Sequence, residues 1–388
     1  MATVAHGREA SVGSTNPDTV QRPPLRPPRR SILRLERPHL GGMPVDELER
    51  TLADWGAGPA YRARQVFGWI HRRGAVDFAG MTSLPKDLRV ALTARASCGA
   101  LPVEAVREAK DGTRKLLLRT HDGHAFETVL IPNEGRGYTQ CVSSMVGCSL
   151  TCRFCATAAM GFERMLAAWE IVEQVRRVRA LLAETGDRRG VTNVVFMGMG
   201  EPLHNYANLR RAIEILTDED AYGIAPRRIT VSTAGIVPLI ERFARDGLAE
   251  RVGLAVSLNA TTDGVRRRVM PIAERYDLAQ LFDALAKVPS PKRRRITLEY
   301  VLLPGENDTR DDARRLAAMA RRLGCQVNLI PFNPHPYAPY RRPTAGDVER
   351  FAAWVRSAGA KLHVRTPRGD DIEAACGQLA AAPPPPKP

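Results

Sequence analysis

Gly147-Cys148-Ser149-Leu150-Thr151-Cys152-Arg153-Phe154-Cys155 gathers three cysteines into one short loop. The C-x3-C-x2-C spacing lets such a loop wrap its thiolates around one face of a cuboidal iron–sulfur cluster. A 4Fe–4S cluster has four irons and normally takes four thiolates. Three thiolates from one loop leave one iron open to a small molecule, which suits catalysis, whereas full ligation suits electron transfer. The competing reading is a structural zinc knot. Zinc wants four ligands, usually two C-x2-4-C pairs or one pair with histidines. The sequence offers no second pair and no histidine near the triplet, so spacing and ligand count favour the cluster held by Cys148, Cys152 and Cys155.

Outward from this loop the chain is regular. Apolar strand-like runs fall near 139–146, 192–198, 228–233, 251–258, 295–303, 325–331 and 361–365. Helical periodicity fills 166–184, 205–217, 236–246, 277–287, 308–322 and 345–357. Repeated βα units imply a parallel sheet with right-handed crossovers. Gly198-Met199-Gly200 lacks the third glycine of a dinucleotide fingerprint. The expected fold is therefore α/β, a partial (β/α)6-type TIM barrel. Every unusual loop follows a strand: the cysteine loop the first, Gly198-Met199-Gly200-Glu201-Pro202 the second, Ser232-Thr233-Ala234-Gly235 the third. Ser257-Leu258-Asn259-Ala260 ends the fourth, Leu303–Asn307 follows the fifth and Pro331–Pro336 the sixth. That face is where barrel enzymes build their sites.

Residues 1–38 carry six prolines and seven arginines against three acids and read as a disordered basic arm. Residues 39–102 read as a small helical module: Pro44-Val45-Asp46-Glu47 opens one helix and Tyr61–Ile70 has helical spacing. Arg62, Arg64, Arg72 and Arg73 either dock this module on nucleic acid or only solvate it. Residues 103–137 form an extension with a hairpin signal at Asp111-Gly112. Residues 138–379 are the barrel core, and 380–388 a Pro-rich tail. The chain has 388 residues and a net charge of +15. That charge suggests a polyanionic partner, most simply RNA or DNA, against the plainer reading of solvated Arg-rich faces. Lys292-Arg293-Arg294-Arg295 divides in the same way. No apolar run is long enough to cross a bilayer and no secretory h-region opens the chain. Seven cysteines, three of them in one loop, fit a reducing compartment.

The open iron needs a ligand, and an amino-acid moiety chelates through its amine and carboxylate. Glu201 can accept from a bound ammonium, or it is an ordinary acid near a helix start. Ser232, Ser257 and Asn259 can hydrogen-bond a ribose or carboxylate, and Asn333 an adenine edge. Each alone is more simply a turn residue; together at one rim they favour a nucleoside-bearing ligand.

The cysteine spacing with its following Gly-Glu loop resembles the radical S-adenosylmethionine superfamily. Three further runs, Cys141–Cys148, Met197–Leu203 and Arg368–Leu379, resemble the bacterial dual-specificity RNA adenine carbon-2 methyltransferase family, with similarity over about residues 40–380. The resemblance implies 23S ribosomal RNA and certain transfer RNAs as substrates, two S-adenosylmethionine molecules per turnover and a reductase or flavodoxin-type electron donor. It further implies a cytoplasmic monomer without a membrane partner. One S-adenosylmethionine methylates Cys376. A second, cleaved reductively at the open iron, gives a 5′-deoxyadenosyl radical that takes hydrogen from that methyl. The carbon radical adds to adenine carbon 2, Glu127 takes the carbon-2 proton, and Cys141 resolves the adduct through a transient disulfide with Cys376. Gly200, Glu201, Ser232, Ser257, Leu258, Asn259 and Asn333 hold the sulfonium ligand. Asn259 stands where relatives often carry histidine, and Met145 where many carry glutamine. Cys98 and Cys325 read as core. Two other readings stay open: the sister carbon-8 methyltransferase, and a non-catalytic iron–sulfur or zinc protein that binds RNA.

Overall fold

The computed structural model describes residues 37–135, 137–289 and 296–381. Nearly all of the basic arm, the Lys292–Arg295 run and most of the Pro-rich tail lie outside the described residues. Three helices come first: α1 (Val45–Asp54), α2 (Tyr61–His71) and α3 (Lys86–Arg95). Strands β1 (Val103–Glu108), β2 (Arg114–Arg119), β3 (Ala125–Asn133) and β4 (Gly137–Cys141) follow. β5 (Met145–Gly147), α4 (Ala156–Ala159) and β6 (Phe162–Met165) bracket the cysteine loop. Then helix and strand alternate: α5 (Ala168–Glu184), β7 (Val191–Phe196), α6 (Tyr206–Thr217), β8 (Ile229–Thr233), α7 (Val237–Arg245), α8 (Leu248–Arg251) and β9 (Gly253–Ser257). The chain continues through α9 (Asp263–Val269), α10 (Leu278–Ala286), β10 (Thr297–Leu302), α11 (Arg310–Leu323), β11 (Gln326–Pro331), α12 (Ala345–Ser357) and β12 (Leu362–Val364).

The main sheet runs β1-β2-β3-β4-β7-β8-β9-β10-β11-β12. From β4 to β12 each neighbouring pair is parallel; β1 to β4 pair antiparallel. β1 and β12 remain the two edges, so among the described residues the barrel is partial. Its parallel strands are Val/Ile/Leu-rich because helices cover them. The helices start where the sequence supplies caps: Asp277 with Gln280, Thr309 with Asp312 and Thr344 with Asp347 form reciprocal capping boxes.

Two sequence expectations change. The strand expected over 139–146 is two strands, because at 142–144 the backbone turns to other partners. Ser143 N donates to Gln174 Oε1 (2.8 Å) and Ser144 N to Met199 O (2.9 Å). The hairpin at Asp111-Gly112 forms, but β3 continues it and pairs directly with β4, so the extension is hydrogen-bonded into the barrel sheet. The N-terminal helices are also tied to the barrel. His39 stacks on Trp169 of α5 at 4.0 Å, and Arg176 donates to Ala75 O (2.8 Å) and Gly99 O (3.0 Å). Apolar side chains of the helices and the sheet form one continuous core that includes Cys98 and Cys325.

Candidate active site

β5 ends at Gly147, which turns the chain into the cysteine loop. Its φ of +71° is left-handed, and a Cβ there would sit 2.0 Å from Gly161 O; only glycine lets β5 and β6 approach this closely. The loop delivers Cys148, Cys152 and Cys155 to the lining of a cavity with about 970 Å³ of empty space at the carboxyl ends of the parallel strands. All three thiols are free. Burial pushes each of them up, Cys152 to about 12, and the neighbouring thiols add to the rise. Three half-buried cysteines whose thiols resist ionisation become ligands when metal charge replaces their protons. No three or more His, Cys, Asp or Glu side chains among the described residues converge on a single ion position. Three cysteines lining one cavity are the donor set that a 4Fe–4S cluster takes, one thiolate to each of three irons.

The other strand ends line the same cavity. Gly200, Glu201, Ser232, Ser257, Asn259 and Asn333 all front it. Gly200 has φ +100°, and a Cβ there would meet Met145 side-chain atoms at 2.6 Å. Glu201 accepts from Leu203 N (3.1 Å) and Ala234 N (2.8 Å), so it both caps a short 3-10 turn and faces the cavity. Burial raises its carboxyl to about 7, against the pull of those backbone donors. Asn259 holds φ +56°, which asparagine tolerates; its Oδ1 accepts from Val301 N (2.8 Å) and its amide faces Met270 Sδ at 3.2 Å. Leu258, expected beside the ligand, has its side chain buried in the core and its backbone N–H donating to Glu299 O (3.0 Å), between Ser257 and Asn259, which line the cavity.

Cys376 lies far along the chain yet fronts this cavity, next to the cysteine loop. Several hydrogen bonds hold it there. Ala156 N donates to Gly377 O (2.7 Å), Thr157 Oγ1 to Leu379 O (2.6 Å), Asn333 Nδ2 to Cys376 O (3.2 Å) and Gln378 Nε2 to Pro334 O (2.9 Å). A smaller cavity, with about 500 Å³ of empty space, adjoins the first; Cys376, Cys141, Arg365 and Arg368 line it. The structure thus brings Cys141 and Cys376 to one space. Burial pushes the Cys141 thiol up to about 12.

Glu127 is not among the residues lining either cavity. It sits on β3, buried, with Lys115 Nζ 3.0 Å from Oε1, while Oε2 accepts from Ala380 N (3.0 Å) and Ala381 N (3.1 Å). Lys115 also donates to Glu373 O (3.0 Å), which ties β2 to the segment that carries Cys376. Sequence reading missed Lys115, Arg365 and Glu299, all of which stand at or beside the site. A charge inside a strand gives no signal until its partners are known.

Arg64 ion-pairs with Asp220 (3.3 Å) and Arg62 donates to Gln65, while Arg72 and Arg73 stay exposed, Arg73 over the Trp69 ring at 4.3 Å.

The family described as "Radical SAM superfamily" matches residues 142–317. The "Ribosomal RNA large subunit methyltransferase N-terminal domain" matches residues 39–98. A dual-specificity RNA methyltransferase RlmN of Geobacter sulfurreducens is 48% identical over 87% of this chain and 91% of its own. A relative of the same name from Anaeromyxobacter sp. is 45% identical over 89% of this chain and 91% of its own. The crystal structure of a radical SAM methyltransferase from Sphaerobacter thermophilus superposes with a TM-score of 0.81 at 44% identity, covering 89% of this chain and all of that one.

Proposed function

Because the chain belongs to the dual-specificity RNA methyltransferase RlmN family, within the radical SAM superfamily, we propose that it places a methyl group on carbon 2 of adenine through a methylated cysteine. It is a radical SAM RNA methyltransferase. The proposed targets are adenine 2503 of 23S ribosomal RNA and adenine 37 of certain transfer RNAs.

Carbon 2 of adenine is electron-poor, so polar methyl transfer to it is unfavourable, and the carbon delivered must be made reactive first. Cys148, Cys152 and Cys155 would hold a 4Fe–4S cluster, which would supply the electron that cleaves S-adenosylmethionine. Gly200, Glu201, Ser232, Ser257 and Asn259 orient that molecule in the larger cavity, and Asn333 positions the Cys376 backbone beside it. Cys376 accepts a methyl group from one S-adenosylmethionine and presents it to adenine; a second is consumed in activating that methyl. Once the adduct has lost its carbon-2 proton and returned one electron, the Cys141 thiolate attacks the Cys376 sulfur and breaks its bond to the methylene; that carbon takes up a proton and leaves as the methylated base, and the Cys141–Cys376 disulfide is reduced before the next turnover. Glu127 takes the carbon-2 proton. Lys115 and the backbone N–H groups of Ala380 and Ala381 occupy its oxygens, so this role requires RNA to lift residues 380 and 381 from it. The reductant is a flavodoxin-type donor, and the chain works as a cytoplasmic monomer.

The observation that carries the reading is the shared space: two cysteines more than two hundred residues apart front one cavity that adjoins the cysteine loop. Anaerobically reconstituted chain, given reductant, S-adenosylmethionine and protein-free 23S RNA, should yield 2-methyladenosine on nuclease digestion and mass spectrometry. 8-Methyladenosine would assign the sister activity instead. Absence of both methyladenosine and 5′-deoxyadenosine would leave only RNA binding.

A further inference from the structure

A carboxyl group lining the larger cavity has one oxygen without a hydrogen-bond partner. Glu299 lies on β10 and is 4% exposed. Its Oε1 accepts from Asn328 Nδ2 at 2.9 Å, while Oε2 is buried without a hydrogen bond. In register, Glu299 stands beside Ser257 of β9 on one side and Asn328 of β11 on the other. Arg365 shares the cavity and its charge acts on Glu299, but no hydrogen bond or ion pair within 4.0 Å joins them. A buried carboxylate oxygen left without a donor destabilises the fold, and such groups persist where a ligand or water completes them.

The completing group must bring a donor, because a carboxylate accepts only. Two parts of a sulfonium nucleoside carry donors: the ribose hydroxyls and the adenine amine. The target adenine of RNA is a third source, but it must reach Cys141 and Cys376 in the smaller cavity, which Glu299 does not line. Glu299 lines only the larger one, level with Ser257, and the three loop cysteines line that same cavity. Between the two remaining donors, the ribose is favoured by position. The sulfonium end must lie by the cysteine loop, and the ribose is joined to that sulfur through a single methylene. We infer that Glu299 Oε2 accepts a hydrogen bond from a ribose hydroxyl of bound S-adenosylmethionine and so sets the site's preference for ribonucleosides. This rests on the radical SAM reading of the larger cavity.

The test is binding of S-adenosylhomocysteine to the full, anaerobically reconstituted chain, with its 2′-deoxy, 3′-deoxy and inosine-based analogues as probes. Glu299→Leu should loosen S-adenosylhomocysteine about 10- to 150-fold, the range for a hydrogen bond to a charged group, and Glu299→Gln by less. The deoxy analogue that lacks the engaged hydroxyl should bind the parent weakly, and the variants almost as weakly, because the two losses report one contact. Iron content and circular dichroism matching the parent exclude misfolding, and the Gln variant carries the test where the Leu variant does not fold. Unchanged affinity in folded variants overturns the assignment. So do losses that add independently for both deoxy analogues, or coupling that appears only with the inosine-based analogue, which would move the contact to the adenine amine. A parent that binds no S-adenosylhomocysteine defeats the radical SAM reading itself, and the assignment with it.

Discussion

At the residue scale, the roles divide by which space a side chain fronts. Cys376 fronts both cavities, Cys141 only the smaller, and the three loop cysteines only the larger. Cys376→Ala should therefore abolish RNA methylation while S-adenosylhomocysteine binding stays within about twofold of the parent; radiolabel transfer and equilibrium dialysis read the two separately. Gly200→Ala should destabilise the fold by about 1–3 kcal/mol, from the strain of a left-handed backbone together with the Met145 clash. Met145→Ala removes Cγ and Sδ but leaves its Cβ 2.6 Å from the new methyl, so denaturant unfolding of the double variant should recover little of the loss. The loop cysteines, Gly200 and Cys376 were legible because their spacing or flanking residues are unusual in themselves. Lys115 and Glu299 were not, because what marks them is a partner, or the lack of one, supplied by distant chain.

At the element scale, the regular parts of the barrel were legible and its interruptions were not. The helix expected over 345–357 spans Ala345–Ser357, because Thr344 and Asp347 set its start with a capping box. The break between β4 and β5 was hidden, since Val142, Ser143 and Ser144 suit a strand and leave it only to meet Gln174 and Met199. The three-stranded extension gains a purpose from its contacts. Lys110 N donates to Asp371, Asp111 accepts from Gly369 N, and Lys115 donates to Glu373 O, so β1 and β2 with their turn form a dock for the Cys376 segment. Lys115→Met removes the ion pair with Glu127 and this tether together. It should speed amide exchange across residues 373–381 and cut methylation at least tenfold, with the S-adenosylhomocysteine affinity retained. Exchange unchanged in that segment would mean that Lys115 does not hold it.

At the scale of the whole molecule, two buried histidines tie the N-terminal helices to the barrel. Burial lowers His39 from 6.5 to about 4 and His71 to about 3, with Arg176 adding to both effects and the Gly99 carbonyl partly opposing it at His39. A histidine kept neutral in the fold but free to charge when unfolded binds more protons in the unfolded state. Stability is therefore full above about pH 6.5 and falls as pH drops from there toward 4. Thermal melts between pH 7.5 and pH 4 should show this decline, and His71→Phe should flatten it. The net charge of +15 belongs to this scale as well: RNA affinity should fall steeply with salt if phosphate contacts dominate. Which basic residues make those contacts was not legible in the sequence, because an arginine's role depends on whether an acid such as Asp220 already holds it. The central claim is that Cys376 bonds covalently to the base and Cys141 releases it. The most direct measurement is to purify Cys141→Ala from cells and digest its nucleic acid. The account expects RNA joined to Cys376 through adenine carbon 2; protein free of RNA, with an intact cluster and a methylated Cys376, would contradict it.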